Sequence, residues 1–359
     1  MNFSYKKHTL QFKFEAGTSR GVLKIKTTYF IFLKDGNGSV GVGECGPLKG
    51  LSIDDRDDFE VQLKEMGEKI TQLAIPNSET EISKFVANNI PDNFPSIQFG
   101  FELALLDLLH GGKRIIYKND FSESRKGLAI NGLIWMGDKE FMLRQIEEKL
   151  EHGYSCIKLK IGAIDFETEC ELLTYIRSKY SKEEVTLRVD ANGAFSPDEA
   201  MKKLDALSVF DIHSIEQPIK QGQMDSMAVL CAKSPIPIAL DEELIGIFGK
   251  EGKLKLLERI RPQYIILKPT LLGGFAKTAE WIDIAESLNI DWWITSALES
   301  NIGLNAVSQF TANYNVTMPQ GLGTGQLYTN NIPAPLTIQK GFIYYDKMRT
   351  WDFNLLKNK

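Results

Sequence analysis

From about residue 126 onward the chain alternates short apolar stretches with helical ones, and this rhythm limits the fold more than any other feature of the sequence. The apolar stretches cover residues 128–135, 156–161, 185–190, 214–217, 236–241, 264–268 and 291–295. Between them, residues 139–152, 166–180, 197–207, 253–261 and 275–288 carry the spacing of amphipathic helices. Strand then helix, repeated, implies a parallel sheet, because each crossover returns the chain to the same end of the sheet. A barrel of roughly 250 residues in eight units needs about 30 residues per unit, the spacing met here. An open doubly wound sheet that bound a nucleotide would carry a glycine-rich first turn, whereas this one reads Met136-Gly137-Asp138. The expected fold is α/β, a TIM-like (β/α)7β barrel spanning 121–329.

The preceding segment follows another pattern. Residues 21–33 are rich in Thr, Val, Ile, Tyr and Phe, Asp35-Gly36-Asn37-Gly38 supplies a turn, and 39–44 resume a strand. Helical spacing follows at 54–73 and 97–109, so residues 1–120 are expected to form a separate α+β unit. The strand-like stretch 338–351 is expected to pack back on it, so that about 330–359 complete that unit. A chain of 359 residues suits two such domains at roughly 150 residues each.

Composition narrows the class of partner. Lys and Arg number 42 against 47 Asp and Glu, and no stretch is dominated by basic residues, so nucleic acid is not an expected partner. Cys45, Cys156, Cys170 and Cys231 are far apart and form no CxxC pair, which argues against a zinc knuckle or a disulfide framework. Residues 1–8 lack the apolar core of a signal peptide and no apolar run approaches the roughly 18 residues of a membrane span. A cytoplasmic protein without a membrane partner is expected. A homo-oligomer is compatible with the sequence, which does not set the oligomeric state.

Reactive groups of a β/α barrel stand at the C-terminal ends of its strands. Five successive strands here end in charge: Lys158-Leu159-Lys160, Arg188-Val189-Asp190-Ala191-Asn192, Glu216-Gln217-Pro218, Asp241-Glu242 and Lys268-Pro269. Residues two apart share a strand face, so Lys158 and Lys160 point one way while Ile157, Leu159 and Ile161 point the other. The same parity joins Arg188 to Asp190. Each element alone has an ordinary explanation: alternate lysines make a solvated strand face, and Asp190-Ala191-Asn192-Gly193 makes a turn or helix cap. Their occurrence in order, one per β/α unit, favours a site. Three carboxylates from adjacent strands, Asp190, Glu216 and Asp241, make an oxygen site for a hard cation. Mg2+ fits first and Mn2+ next. Glu242 is the alternative to Asp241, although Asp241 has the parity of Ala239.

This motif series resembles the enolase superfamily, in particular its muconate-lactonizing subgroup, over the interval from Lys158 to Lys268. The resemblance implies that residues 1–120 are a capping domain and that Asp190, Glu216 and Asp241 bind Mg2+. It makes Lys160 and Lys268 acid/base groups on either side of a small carboxylate substrate. Lys158 would lower the pKa of Lys160 and help bind the carboxylate. The chemistry is coherent: a proton beside a carboxylate is weakly acidic, and a metal with flanking ammonium groups stabilises the dianion left by its removal. A lysine base must be neutral, which neighbouring cations and desolvation favour.

Within the subgroup, dipeptide epimerases carry Asp-x-Asp at the eighth strand, whereas Met318-Pro319-Gln320-Gly321-Leu322-Gly323-Thr324-Gly325 has no acidic residue. Arg188, the segment Thr295-Ser296-Ala297-Leu298-Glu299-Ser300 and Gly323-Thr324 instead resemble the dehydratases of menaquinone synthesis. That likeness implies a hydro-lyase acting on a cyclohexadiene carboxylate with a succinyl arm. Arg188, Ser296, Ala297, Leu298, Glu299, Gly323 and Thr324 would contact it, together with Arg20 and Leu48 from glycine-containing loops of the N-terminal unit. Two alternatives stay open: N-acylamino acid racemization or dipeptide epimerization, and a barrel that only binds.

Overall fold

The computed structural model describes residues 1–18 and 21–356. Its N-terminal unit is a three-stranded antiparallel sheet, β1 (Asn2–Thr18), β2 (Gly21–Lys34) and β3 (Val40–Cys45), followed by helices α1 (Phe59–Thr71), α2 (Glu79–Asn89) and α3 (Pro95–Leu109). The turn at Asp35 closes by local bonds, since its carboxylate accepts from the amides of Asn37 and Ser39 at 2.9 and 2.8 Å. Helix α3 is apolar nearly all round and buried along its length, because it lies between this sheet and the rest of the molecule. Two glycines permit that approach. A Cβ on Gly41 or Gly43 would stand 2.0 Å from the carbonyl oxygen of Ala104 or Gly100, so any side chain there pushes α3 off β3.

The second part alternates as expected. After β4 (Leu128–Ala129) come β5 (Gly132–Ile134), α4 (Lys139–Glu151), β6 (Cys156–Lys160), α5 (Phe166–Lys179), β7 (Thr186–Asp190) and α6 (Pro197–Leu207). Next are β8 (Ile212–Glu216), α7 (Met224–Lys233), β9 (Ile238–Leu240), α8 (Gly249–Ile260) and β10 (Tyr264–Leu267). Then follow α9 (Pro269–Leu272), α10 (Phe275–Ser287), β11 (Asp291–Ile294) and α11 (Asn301–Thr311), with a final hairpin of β12 (Leu336–Gln339) and β13 (Phe342–Tyr345). Strands β5 to β11 form one parallel sheet in sequence order. Its two edges meet: parallel bridges join Thr295 to Gly321 and Ile130 to Gln320, so the sheet curls on itself. Helices cover its outside, and the outward residues Ile157, Leu159, Leu187, Val189 and Ile215 are at most 1% exposed.

Two expectations are corrected. The stretch 128–135 is not one strand: it breaks at Ile130 and Asn131, where β4 turns away to pair antiparallel with β13 while β5 joins β6. The C-terminal strands therefore pair with β4 and not with the N-terminal sheet, and the extended stretch stops at Tyr345, short of Trp351. Contact with the N-terminal part comes from flanking residues, through a Phe12–Tyr328 bridge and the Arg114 guanidinium over the Phe353 ring. No described helix is long and apolar enough to cross a membrane.

Candidate active site

Strand register builds the site in layers. Lys160, Asp190 and Glu216 are direct neighbours on one rung of β6, β7 and β8. Lys158, Arg188 and Ser214 form the rung below. Glu216 pairs with Ala239, so Asp241 stands two residues further toward the strand ends, and Lys268 follows the last residue of β10. All of these inward charges are nearly or fully buried.

The ammonium groups and carboxylates interlock. Lys158 Nζ lies 3.0 Å from Asp190 Oδ2 and also contacts Glu216. Lys160 Nζ donates to Asp190 Oδ2 at 2.9 Å and to Asn192 Oδ1 at 2.8 Å. Lys268 is paired with Asp241. Burial works against each lysine's charge, but for Lys158 the Asp190 and Glu216 carboxylates outweigh it and the pKa is raised. Lys160 goes the other way: burial, reinforced by the charge of Lys158 and opposed by Asp190, holds it below the ordinary lysine value. Lys268 is raised, since Asp241 and Glu216 overcome its burial. Burial and the charge of Asp190 push Glu216 up to about 8. The Asp190 and Asp241 carboxyls are lowered despite burial, Asp190 chiefly by Lys158 and Lys160, Asp241 chiefly by Lys268.

The donor set suits a hard divalent cation: three carboxylates from consecutive strands, with no histidine or cysteine among them. One observation supports that fit. Both oxygens of Glu216 are buried without a hydrogen bond, although the residue forms an ion pair with Lys158. The carboxylates do not close on a common point as the sequence suggested. Among the described residues no three acidic, histidine or cysteine side chains stand close enough to hold a metal as they are. Lysine ammonium groups lie between them instead, as expected when three buried negative charges draw in the nearest cations.

A cavity of 310 Å³ opens above this floor. Lys158, Lys160, Asp190, Asn192 and Lys268 line its base; Ser296, Ala297, Leu298, Gly323 and Thr324 line one side; Leu48 comes from the N-terminal unit. Two expected contacts are placed elsewhere. Arg188 does not line the cavity: it sits one rung deeper, 3.9 Å from the Trp293 ring, donating to the Pro319 carbonyl at 2.8 Å. Glu299 is fully buried behind the wall, accepting from Thr270 and Ser296 at 2.5 Å each. Arg20 lies outside the described residues. Glu242 accepts from the Asn192 amide at 3.1 Å and stands off the floor. Residues not anticipated also line the cavity, among them Leu23, Leu51, Asn131, Leu133, Trp135 and Thr295. Asn131 and Thr295 each have a buried oxygen without a hydrogen-bond partner. Asn131, Leu133 and Trp135 share one parity, the sequence signal that places them on a common face.

Residues 142–347 match the family of enolase C-terminal domain-like proteins, more than half of the chain. The chain belongs to the enolase superfamily. Members of that superfamily use Mg2+. Among its relatives is an o-succinylbenzoate synthase from Desulfotalea psychrophila, 48% identical, with 96% of this chain and 98% of the relative covered. The crystal structure of MenC from the same organism superposes with a TM-score of 0.85 at 44% identity, over 96% of this chain and 99% of that one. Muconate lactonizing enzyme from Pseudomonas fluorescens shares the superfamily fold, with a TM-score of 0.82 at 23% identity, over 98% and 95% of the two chains.

Proposed function

We propose that this enolase-superfamily chain is a hydro-lyase that converts 2-succinyl-6-hydroxy-2,4-cyclohexadiene-1-carboxylate to 2-succinylbenzoate and water, a step of menaquinone synthesis. The observation that carries the reading is the near full-length relationship to the Desulfotalea psychrophila o-succinylbenzoate synthase. It is supported by a cavity whose base presents the lysines such a reaction needs. In this reading the curled sheet is a (β/α)7β barrel, the N-terminal unit is its capping domain, and Asp190, Glu216 and Asp241 hold Mg2+. The partner is a small carboxylate, neither nucleic acid nor membrane, and the setting is cytoplasmic.

The bound metal supplies positive charge where the substrate carboxylate becomes a dianion. Lys160, kept below the ordinary lysine pKa chiefly by burial, takes the proton from the carbon that bears the carboxylate. The ammonium so formed returns a proton to the departing hydroxyl on the same face. Water leaves, the ring becomes aromatic and Lys160 is neutral again. Lys268, whose pKa is raised, stays a cation beside the dianion, and Lys158 remains charged beneath it. Ser296, Ala297, Leu298, Gly323, Thr324 and Leu48 shape the space for the succinyl arm.

A second activity has its own support. Lys160 ends β6 and Lys268 follows β10, four strands apart in the order of the curled sheet, so the two approach the cavity base from opposite sides. That arrangement allows proton transfer on both faces of one carbon, which is racemization of an N-acylamino acid. An N-succinylamino acid racemase from Thermus thermophilus is 34% identical over 46% of this chain and 42% of its own length. The deciding experiment follows loss of diene absorbance with purified protein and Mg2+. Rapid loss is expected for the parent and none on the same timescale for Lys160→Ala or without metal. A folded, Mg2+-binding protein that leaves the diene intact overturns the dehydratase reading; α-deuterium exchange of N-succinylamino acids in D2O then reads the racemase.

A further inference from the structure

One buried cation is not explained by the reaction. Lys26, on β2 of the capping domain, is 4% exposed, and its Nζ has no hydrogen-bond partner. Two carboxylates stand around it: Glu44, from the adjacent strand β3, which accepts from the Thr28 hydroxyl that crowds Gly46 together with Nζ, and Glu299, from the barrel, whose side chain meets Glu44 beside Gly303. Both are fully buried. The main chain comes close to the ammonium: a Cβ on Gly46 would stand 2.8 Å from Nζ, so a side chain there would displace it. An unpaired ammonium out of water is costly unless opposite charge compensates it, which gives these three residues a reason to be together.

Each carboxylate holds a different part of the segment that carries the cavity wall. Glu44 accepts from the Ser300 amide at 2.8 Å, the Ser300 hydroxyl at 2.6 Å and the Gly303 amide at 2.9 Å. These donors form the N-terminus of α11, where a negative charge is favourable. Thr28 supplies a fourth bond to Glu44 at 2.9 Å. Glu299 ties Thr270, two residues past Lys268, to Ser296, whose hydroxyl accepts from Thr324 at 2.7 Å and from the Leu298 amide at 3.0 Å. Leu298, between them, holds a φ of 63°, a left-handed conformation that a branched side chain adopts only when its surroundings impose it.

We propose that Lys26, Glu44 and Glu299 form a buried charge bridge through which the capping domain fixes barrel residues 296–303, and with them the wall against which substrate sits. The bridge rests on the functional reading only in identifying that wall as the substrate's; its mechanical part stands alone. All three are positioning residues. Without Lys26 the cluster holds two uncompensated carboxylates, and the segment loosens. Converting Glu299 to a neutral amide restores the net charge of the cluster to minus one.

The test is amide hydrogen exchange in the full chain, read beside kcat and KM. In Lys26→Met, exchange across 296–303 should accelerate at least about tenfold while β6 and β7 keep their protection, since a local opening lowers protection only where it occurs. The kcat for diene loss should fall by about tenfold, because misplaced contacts weaken transition-state binding, with KM changing less. Lys26→Met combined with Glu299→Gln should recover most of both effects, the mark of coupling between two groups. Unchanged exchange in a folded Lys26→Met protein, acceleration spread evenly over the chain, or no recovery in the double variant overturns the bridge. If Lys26→Met does not fold, Glu299→Gln alone reads the same segment, and unchanged exchange there also overturns it. The exchange readout needs no substrate, so an inactive parent would sink the dehydratase reading and leave this test intact.

Discussion

The two ends of the curled sheet hold different things. At the C-terminal ends of the strands it buries charge: Lys158, Lys160, Lys268, Asp190, Glu216 and Asp241, packed into ion pairs with Glu216 left short of hydrogen bonds. Toward the opposite end it packs rings: half-buried His213 lies tilted against half-buried Tyr264 and edge-on to buried Trp293, with centroids 5.0 and 6.3 Å away, and the Arg188 guanidinium lies over Trp293. Like-charge crowding and desolvated ions cost stability, whereas ring packing contributes to it. One end is therefore organised for chemistry and the other for holding the sheet closed. A variant at one end should change one property and largely spare the other.

The largest expected effect is at the charged end. Lys160→Ala should lower kcat by about a thousandfold, as removal of a general acid/base commonly does, while the denaturant midpoint moves little. A comparable loss of stability in that variant would break the contrast. Next comes Trp293→Ala, which deletes a ring that is 1% exposed and uncovers Arg188. It should destabilise by about 3–5 kcal/mol, with kcat of the folded fraction within a few-fold of the parent. Loss of turnover in the folded variant would mean that the ring end also sets active-site geometry.

A smaller effect sharpens the metal assignment. Mg2+ at a hundredfold excess over its Kd should stabilise the parent by about 2.7 kcal/mol in thermal unfolding, and chelation should remove that gain. Glu216→Gln should abolish it. Retention of the full gain would exclude Glu216 as a ligand. The smallest effect is the pH response of the ring end. Burial, with some help from Arg188, lowers the His213 pKa from 6.5 to about 4. The unfolded chain then binds the proton more readily than the native one, so stability is fully present above about 6.5 and falls as the pH drops toward about 4. His213→Gln should flatten the stability profile within that window by less than one proton, measured by denaturant titration at each pH. A profile identical to the parent would mean that His213 is no more burdened by charge than in the unfolded chain.

Much of the buried charge at the strand ends was legible in the sequence. Period-two alternation fixes which side chains of a strand share a face, and the β/α rhythm fixes where strands stop, so Lys158, Lys160, Asp190, Glu216, Asp241 and Lys268 could be picked out by position alone. Parity names a face but not a depth. Arg188 shares the parity of Asp190, yet it lies a rung lower against the Trp293 ring, and only the packing of that ring from β11 shows that it stays there and does not reach the cavity. Glu299 failed for a related reason: it adjoins residues that line the cavity, and only the turn at Leu298 decides that it points behind the wall.

The rest was set by contacts between distant parts of the chain. Glu44 binds Ser300 across 256 residues, and no local spacing in either segment announces it. The hairpin at the C-terminus chose β4 over the N-terminal sheet because the chain breaks at Ile130, a break that the apolar run 128–135 conceals. By itself, then, the sequence determined the alternating architecture and the charged strand ends, since both follow from local periodicity and the direction of a strand. Only the tertiary structure decided how deep each charge sits, which lysine occupies which carboxylate, and how Glu44 of the N-terminal unit meets Ser300 and Gly303. Those depend on register and docking, where burial leaves no water to compensate an unpaired charge.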